Sequence, residues 1–268
     1  MVATNGGAGN SGVELRWLGT AGFQVRCRGH ELALDPNLTR GAGATPALAL
    51  RVEELAAASL VLVSHGHFDH VQDAAAVAIA AGARVVAPRA CLAGLERAGV
   101  AAERLAACEA SPQVAWAGGT IRVVPSRHIR FDARMVLGTV GRVIRGGILR
   151  RLWRLVRRFP MGSNSDFLLE LGAERVLFSG SGGGGWEARA ALAPTTFLLP
   201  FAGRTDIVNY ALAGLRVVRP RRVVLHHFDD FFPPFSRPYP VAEFSARVRA
   251  ELPEVKLVVP EAGVWFGL

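Results

Sequence analysis

The hydrophobic pattern opens with three short runs in which apolar and polar residues alternate. They lie at positions 13–18, 23–27 and 31–34, divided by the turn-like stretches Gly19-Thr20-Ala21-Gly22 and Arg28-Gly29-His30. Alternation bounded by such breakers predicts three short strands. The pattern changes at 59–64, where Leu60, Val61, Leu62 and Val63 follow one another without a polar position. A continuous run of this length predicts a strand buried on both faces, as in a parallel sheet. A short helix at 51–58 leads into it, and an alanine-rich helix at 71–81, ended by Gly82, leads away. Next come a strand at 84–87 and a helix at 91–98 ended by Gly99. Later strands are expected at 120–125, 166–171, 175–178, 196–201, 222–225 and 256–259, with helices at 206–215 and 241–252. Strands that alternate with helices argue for βαβ units and an α/β class.

Residues 133–165 break this rhythm. They contain no acidic residue and eight arginines, at 134, 142, 145, 150, 151, 154, 157 and 158. Ile148, Leu149, Leu152, Trp153, Val156 and Phe159 recur at steps of three and four, which predicts an amphipathic basic helix stopped by Pro160. Composition adds little elsewhere. The chain has 268 residues, half of them hydrophobic, and a net charge of +9. Nothing but the basic stretch divides it, so one globular domain over 13–268 is expected, behind a disordered tail at 1–12 rich in Gly, Ala and Asn. Cys27, Cys91 and Cys108 are far apart and form no CxxC pair, which points to reduced thiols and a cytoplasmic protein. The first residues do not read as a secretory signal, and no run reaches the roughly 18 apolar residues of a membrane helix.

The chemistry concentrates directly after the buried strand, in His65-Gly66-His67-Phe68-Asp69-His70. Three of the chain's seven histidines fall there. His65 and His67, two apart, project to one side of an extended chain. Imidazole and carboxylate together suit zinc and related divalent ions. Active-site residues of open α/β sheets cluster where strands end.

His-x-His-x-Asp-His after an apolar strand resembles the signature of the metallo-β-lactamase superfamily of metal-dependent hydrolases. The resemblance implies a four-layer αββα sandwich with the metals at one edge. It implies that His65 and His67 hold one ion and that Asp69 and His70 hold a second. The strand at 120–125 runs into Ser126-Arg127-His128, and His128 takes the position of the third histidine of the first metal. The last histidine closes the strand at 222–225; His227-Phe228-Asp229 fits the family pattern better than His226 does. The opening Leu18-Gly19-x-Ala21-Gly22-Phe23 … Leu34-Asp35-Pro36 is similar to the UlaG-like branch, in which the Asp lies behind the ligands. Asp35 then either orients a ligand histidine or simply forms the turn before Pro36. The family's bridging Asp is replaced by Ser181, within a glycine-rich stretch that is not a P-loop.

Three neutral histidines leave a divalent ion largely unneutralised, so that a bound water's pKa falls from about 15.7 to about 7. Asp69 is the residue placed to orient that water or take its proton. The implied function is metal-dependent hydrolysis of an ester, thioester, lactone or phosphodiester, with zinc, manganese or iron, in an anionic or lipid-like substrate. The alternative is a non-catalytic or mononuclear metal-binding module that engages anionic lipid or nucleic acid through its arginine-rich helix; nucleic acid is disfavoured by the lack of interleaved aromatics. Inserted after His128, that helix reads as a lid whose Arg150 and Arg154 hold an anionic substrate, as an interfacial helix, or as a surface helix completing the core. The loop from Phe231 to Pro240 either walls a greasy pocket or braces the sandwich edge.

Overall fold

The computed structural model describes residues 12–268. The tail expected at 1–12 therefore lies outside the described residues apart from Gly12. The strands are β1 (Val13–Trp17), β2 (Phe23–Cys27), β3 (His30–Leu34), β4 (Ala58–Leu62), β5 (Arg84–Ala87), β6 (Leu105–Ala107) and β7 (Gln113–Trp116). They continue with β8 (Gly119–Ser126), β9 (Asn164–Leu171), β10 (Glu174–Ser179), β11 (Thr196–Pro200), β12 (Arg222–His226), β13 (Lys256–Val258) and β14 (Trp265–Gly267). The helices are α1 (Phe68–Val71), α2 (Ala74–Ala81), α3 (Arg89–Arg97), α4 (Ala133–Arg145), α5 (Leu149–Arg158), α6 (Trp186–Ala190), α7 (Ile207–Val218) and α8 (Val241–Glu251).

Among the described residues the strands form two seven-stranded sheets, ordered β14-β1-β2-β3-β4-β5-β6 and β13-β12-β11-β10-β9-β8-β7. The short alternating strands at the start pair antiparallel, β1 with β2 and β2 with β3. The continuous apolar strand β4 pairs parallel on both sides, with β3 and β5.

Strand periodicity sorts the core. Leu60 and Leu62 of β4 join Phe23, Phe167 and Phe178 between the sheets, while Val61 and Val63 face α2 and α3 on the outside. The second sheet repeats the division: Leu198 and Val224 point inward, and Phe197, Leu199, Val223 and Leu225 pack against α7 and α8. Each such side chain, fully buried, contributes about 2 kcal/mol relative to exposure. The layers are therefore helix, sheet, sheet, helix, the αββα sandwich that the motif implied. Cys27, Cys91 and Cys108 are free and buried. No helix among the described residues is long and apolar enough to cross a membrane.

The structure departs from the sequence expectations at two helices. The span 51–58 holds only a 3-10 turn, Val52–Leu55, because the sheet already begins at Ala58. The basic stretch is not one helix but a helical hairpin, α4 followed by α5, with Gly146 and Gly147 at the bend. Asp132 caps α4 by accepting a hydrogen bond from the Met135 amide at 2.9 Å. The hairpin is held by a separate apolar group, in which Ile148, Leu152, Leu155 and Phe159 pack on Phe68, Phe231 and Phe232.

Candidate metal centre

The chain leaves β4 at Val63, and the motif occupies the loop and the first turn of α1. His67 is the residue before the helix, in extended conformation. This turn carries Asp69 and His70 back over the strand end, so all four motif side chains face one point. Strand β8 delivers His128 from the other sheet. Three groups of side chains have their ligand atoms within 4.8 Å of one another: His65, His67 and His128; Asp69, His70 and His227; and Asp35, His65 and His70.

Hydrogen bonds fix the histidine rings. His70 Nδ1 donates to Asp35 Oδ2 at 2.6 Å, and His128 Nδ1 donates to the Ile129 carbonyl at 2.8 Å. The Ser64 hydroxyl donates to Asp35 Oδ2 at 2.5 Å, which leaves its oxygen to accept from His65 Nδ1 at 3.0 Å. In all three rings the Nδ1 proton is thus committed away from the site, and Nε2 is left bare toward it. His67 instead turns Nδ1 to within 3.1 Å of His65 Nε2. Two neutral ring nitrogens that face each other at this distance are unfavourable unless a proton or a cation lies between their lone pairs. The donor set therefore fits a divalent cation.

The electrostatics agree. Burial, together with His70 and His67, holds His65 neutral, well below the usual imidazole range. Burial and His67 push His128 down to about 4. Burial works against the charged form of Asp69, but His70 and a hydrogen bond from His227 outweigh it and hold the carboxyl well below its ordinary value. His227 Nε2 lies 3.2 Å from Asp69 Oδ2 and His70 Nε2 lies 3.7 Å from it. Burial lowers His67 as well, so His65, His67 and His128 are all held toward the neutral form that binds metal. At His70 burial is outweighed by Asp69 and Asp35, which hold it above the ordinary imidazole value, so a cation bound there would displace its proton.

His226 and His227 separate cleanly. Along β12, Val224 points between the sheets and Leu225 outward, so His226 points inward; its ring stacks with Phe178 at 5.4 Å and meets Phe23 edge-on at 5.5 Å. His227 breaks the strand with φ +60° and donates its amide to the Thr20 carbonyl at 2.6 Å. That left-handed turn, unfavourable for a residue with a side chain, swings its ring to Asp69. His226 is a core residue, and its place among the candidate site residues is corrected accordingly.

Asp35 is fully buried, also at positive φ, and accepts hydrogen bonds from Ser64 twice and from His70 once. It is committed to orienting ligands rather than to binding an ion itself, although it belongs to one of the three groups. Ser181 accepts from the Ile129 amide at 2.9 Å and so braces the residue after His128. The glycine-rich stretch around it has a steric cause: a Cβ on Gly183 would stand 2.2 Å from the Arg127 carbonyl. Asp229 is engaged by Arg40 at 2.6 Å and by the Thr20 amide at 3.0 Å.

Above the site lies a cavity of ≈ 640 Å³. Its floor is His67, Asp69, His70, His128 and His227, and its walls are apolar faces of α4 and α5 with Phe231, Phe235 and Tyr239. The aromatic loop therefore does wall a pocket. The arginines expected to reach into it do not: Arg150 and Arg154 are exposed and off the cavity wall, where Arg142 and Arg237 stand instead. Arg142 is itself tied to the Pro234 and Phe235 carbonyls. Sequence reasoning missed Ser64, which carries the link between Asp35 and His65, and the whole of α4. It also missed Gly66, whose amide donates to the Met161 carbonyl at 2.7 Å and thereby ties the hairpin's exit to the motif.

A family model described as Beta-lactamase superfamily domain matches residues 30–228. A UPF0173 metal-dependent hydrolase of Anaeromyxobacter sp. (strain K) is 45% identical over 74 residues, 27% of this chain and 26% of that protein. The matched stretch thus spans about a quarter of that relative. Another, from Carboxydothermus hydrogenoformans, is 26% identical over 252 residues, 92% of this chain and 97% of its own. Among solved structures, Igni18, a metallo hydrolase from Ignicoccus hospitalis, superposes with a TM-score of 0.69 at 21% identity, covering 96% of this chain and 99% of that one. At that identity the likeness is one of fold.

Proposed function

This chain belongs to the β-lactamase superfamily, and from that premise we propose that it is a metal-dependent hydrolase acting on an ester, thioester, lactone or phosphodiester with a long apolar arm. The observation that carries the reading is the convergence of two metal-capable groups on the floor of an apolar cavity. His65, His67 and His128 would hold the first ion, and Asp69, His70 and His227 the second; zinc, manganese and iron all suit nitrogen and carboxylate donors. A divalent ion bound there supplies Lewis-acid polarisation of the scissile group and a water acidic enough to ionise near neutral pH.

The chain's own residues do the rest. Asp69 stays ionised beside His70 and His227, so it accepts a hydrogen bond from the attacking water and orients it rather than storing its proton. Asp35 and Ser64 keep the histidine rings in one tautomer. The walls from α4, α5 and the Phe231–Phe235 loop exclude water and grip the apolar arm.

The test is a screen of the four reporter classes with the chelated and the metal-restored protein, each at several acyl lengths. Hydrolysis is expected only with metal, and kcat/KM is expected to rise about fourfold per added methylene, since each buried CH₂ contributes about 0.8 kcal/mol. Metal-independent turnover would refute the proposal. No turnover in any class by the loaded protein would favour the non-catalytic binding module.

Ser181 sets the expected stoichiometry. A serine hydroxyl is neutral, and this one is already engaged with the Ile129 amide, so two neighbouring divalent ions lack the carboxylate that would reduce their repulsion. Metal titration is expected to show one tight step and one weaker step, and Ser181→Asp to tighten the second about tenfold or more, the scale on which supporting ligands act. Two equally tight steps in the unaltered protein would mean that another group bridges the ions.

A further inference from the structure

The exposed apolar side chains are concentrated on one feature. Leu137 is 73% exposed and Trp153 57%, and Phe131, Val136, Val140, Ile144, Leu149, Val156 and Met161 are exposed as well. All lie at or beside the α4–α5 hairpin. A surface helix that served only to complete the core would turn such residues inward.

Helical spacing shows how they are arranged. On α5, Leu152 and Leu155 pack down on the phenylalanine group. Leu149, Trp153 and Val156 form the next stripe, at about 100° per residue, and stay exposed. Arg150, Arg154, Arg157 and Arg158 lie beyond that stripe. On α4, Val143 is buried, Leu137, Val140 and Ile144 are exposed, and Arg134 and Arg145 flank them. Six of the exposed residues, Phe131, Val136, Val140, Ile144, Leu149 and Val156, also line the cavity, so the apolar patch is the rim of its mouth.

We propose that the α4–α5 hairpin seats this protein on an anionic lipid bilayer, with the cavity mouth against the acyl boundary. The occupant is identified by two complementarities at once. Eight arginines without an acidic residue between 133 and 165 match a layer of negative headgroups. The bare apolar stripe beside them matches the hydrocarbon just below, which is the arrangement of helices that lie in the interface plane. A second copy of the chain would set arginine against arginine. Single-stranded nucleic acid would meet one exposed aromatic on α5, Trp153, whose ring Arg157 already covers at 4.6 Å, and would leave the aliphatic residues without a partner, because base recognition of that kind needs several stacking aromatics along the basic path. The inference goes beyond the hydrolase reading and stands apart from it, because docking is read without turnover.

The test uses the full chain in sedimentation with vesicles of phosphatidylcholine alone and of phosphatidylcholine with phosphatidylglycerol. Binding to the anionic vesicles is expected, and it should weaken with added salt, since the Debye length is about 8 Å at physiological ionic strength. The triple variant Arg150→Glu/Arg154→Glu/Arg157→Glu should lose at least about a hundredfold in partitioning, at about fivefold per basic residue near the surface. A second variant, Leu137→Asp/Trp153→Asp, should lose binding with its arginines intact. All five positions are exposed and off the cavity wall, so circular dichroism and hydrolysis of a short water-soluble reporter should be unchanged. That last readout keeps failure of docking distinct from failure of the hydrolase reading. Absence of binding to anionic vesicles would overturn the proposal, as would equal binding to neutral ones. Tighter binding to an RNA oligonucleotide at the same ionic strength, or a solution dimer dissociated by Leu137→Asp, would also overturn it.

Discussion

Replacing His67 by alanine is expected to lower kcat/KM by about a thousandfold or more and to leave the protein with clearly less bound metal than the wild type. His67 belongs to the first group, with its Nδ1 3.1 Å from His65 Nε2 and its ring centroid 4.6 Å from that of His128. Removing it leaves two histidines where a tight site needs three protein ligands, and it removes interactions that matter to the reacting complex rather than to the fold. The backbone part played by the residue survives, because the His67 carbonyl still accepts from the His70 and Val71 amides at the start of α1. The metal-free variant should therefore melt close to the metal-free wild type, while the metal-loaded wild type melts higher, since a ligand that binds only the native state stabilises it by mass action. His226→Leu provides the contrast. Its ring lies between Phe23 and Phe178 and reaches no metal-capable group, so that variant should keep its metal whatever it loses in stability. Elemental analysis beside steady-state kinetics checks both, and equal metal in wild type and His67→Ala would sink the assignment.

What the sequence disclosed and what it hid follow from the range of the interactions. The motif was legible because His65, His67, Asp69 and His70 are neighbours in the chain, and a strand end followed by one helical turn is enough to gather them. His128 and His227 were legible only as strand ends that match a family pattern, because nothing in their own surroundings says that two different sheets meet there. The choice between His226 and His227 turned on a backbone angle of +60°, which no local pattern encodes for a histidine. Helix α4 was missed because Gly138, Thr139 and Gly141 interrupt its apolar positions and only tertiary contact makes the helix worthwhile. Its apolar positions 136, 140 and 143 are present in the sequence, but they are too few and too interrupted to define a face without the phenylalanine loop and cavity they pack beside. The expectation for Arg150 and Arg154 failed for a related reason. Helical period fixes which residues share a face, but it does not say which face the rest of the protein covers.

Gly66→Ala tests how the hairpin and the metal motif are joined, and it is expected to destabilise the protein by about 3 kcal/mol. A methyl group there would stand 1.9 Å from the Pro160 carbonyl oxygen and 2.7 Å from Cys91 Sγ. The first is backbone, and the second ends a short side chain that is itself buried. The ring of Pro160 fixes its φ, and the next residue takes the Gly66 amide hydrogen bond at 2.7 Å, which restrains the carbonyl between them. Something must move, and the two possibilities leave different traces. If the segment after α5 lifts, the Met161 carbonyl loses its donor and Phe159 loosens from the phenylalanine group that anchors the hairpin. Trypsin would then cut at the arginines of α5 much faster than in the wild type, while His65 and His67 stay in place and metal affinity falls little. If instead the His65–His67 turn yields, the cleavage pattern stays as in the wild type and metal affinity drops, because the two ligands on either side of Gly66 lose their alignment. Titrating metal into the variant and following limited proteolysis in parallel separates the two. Wild-type behaviour in melting, metal affinity and cleavage together would show that the chain can accommodate a Cβ at this position and that the hairpin is not braced against the motif. The first outcome carries the larger consequence: the helices that wall the cavity would then be held down by one glycine of the metal motif, so that the site and its enclosure form together.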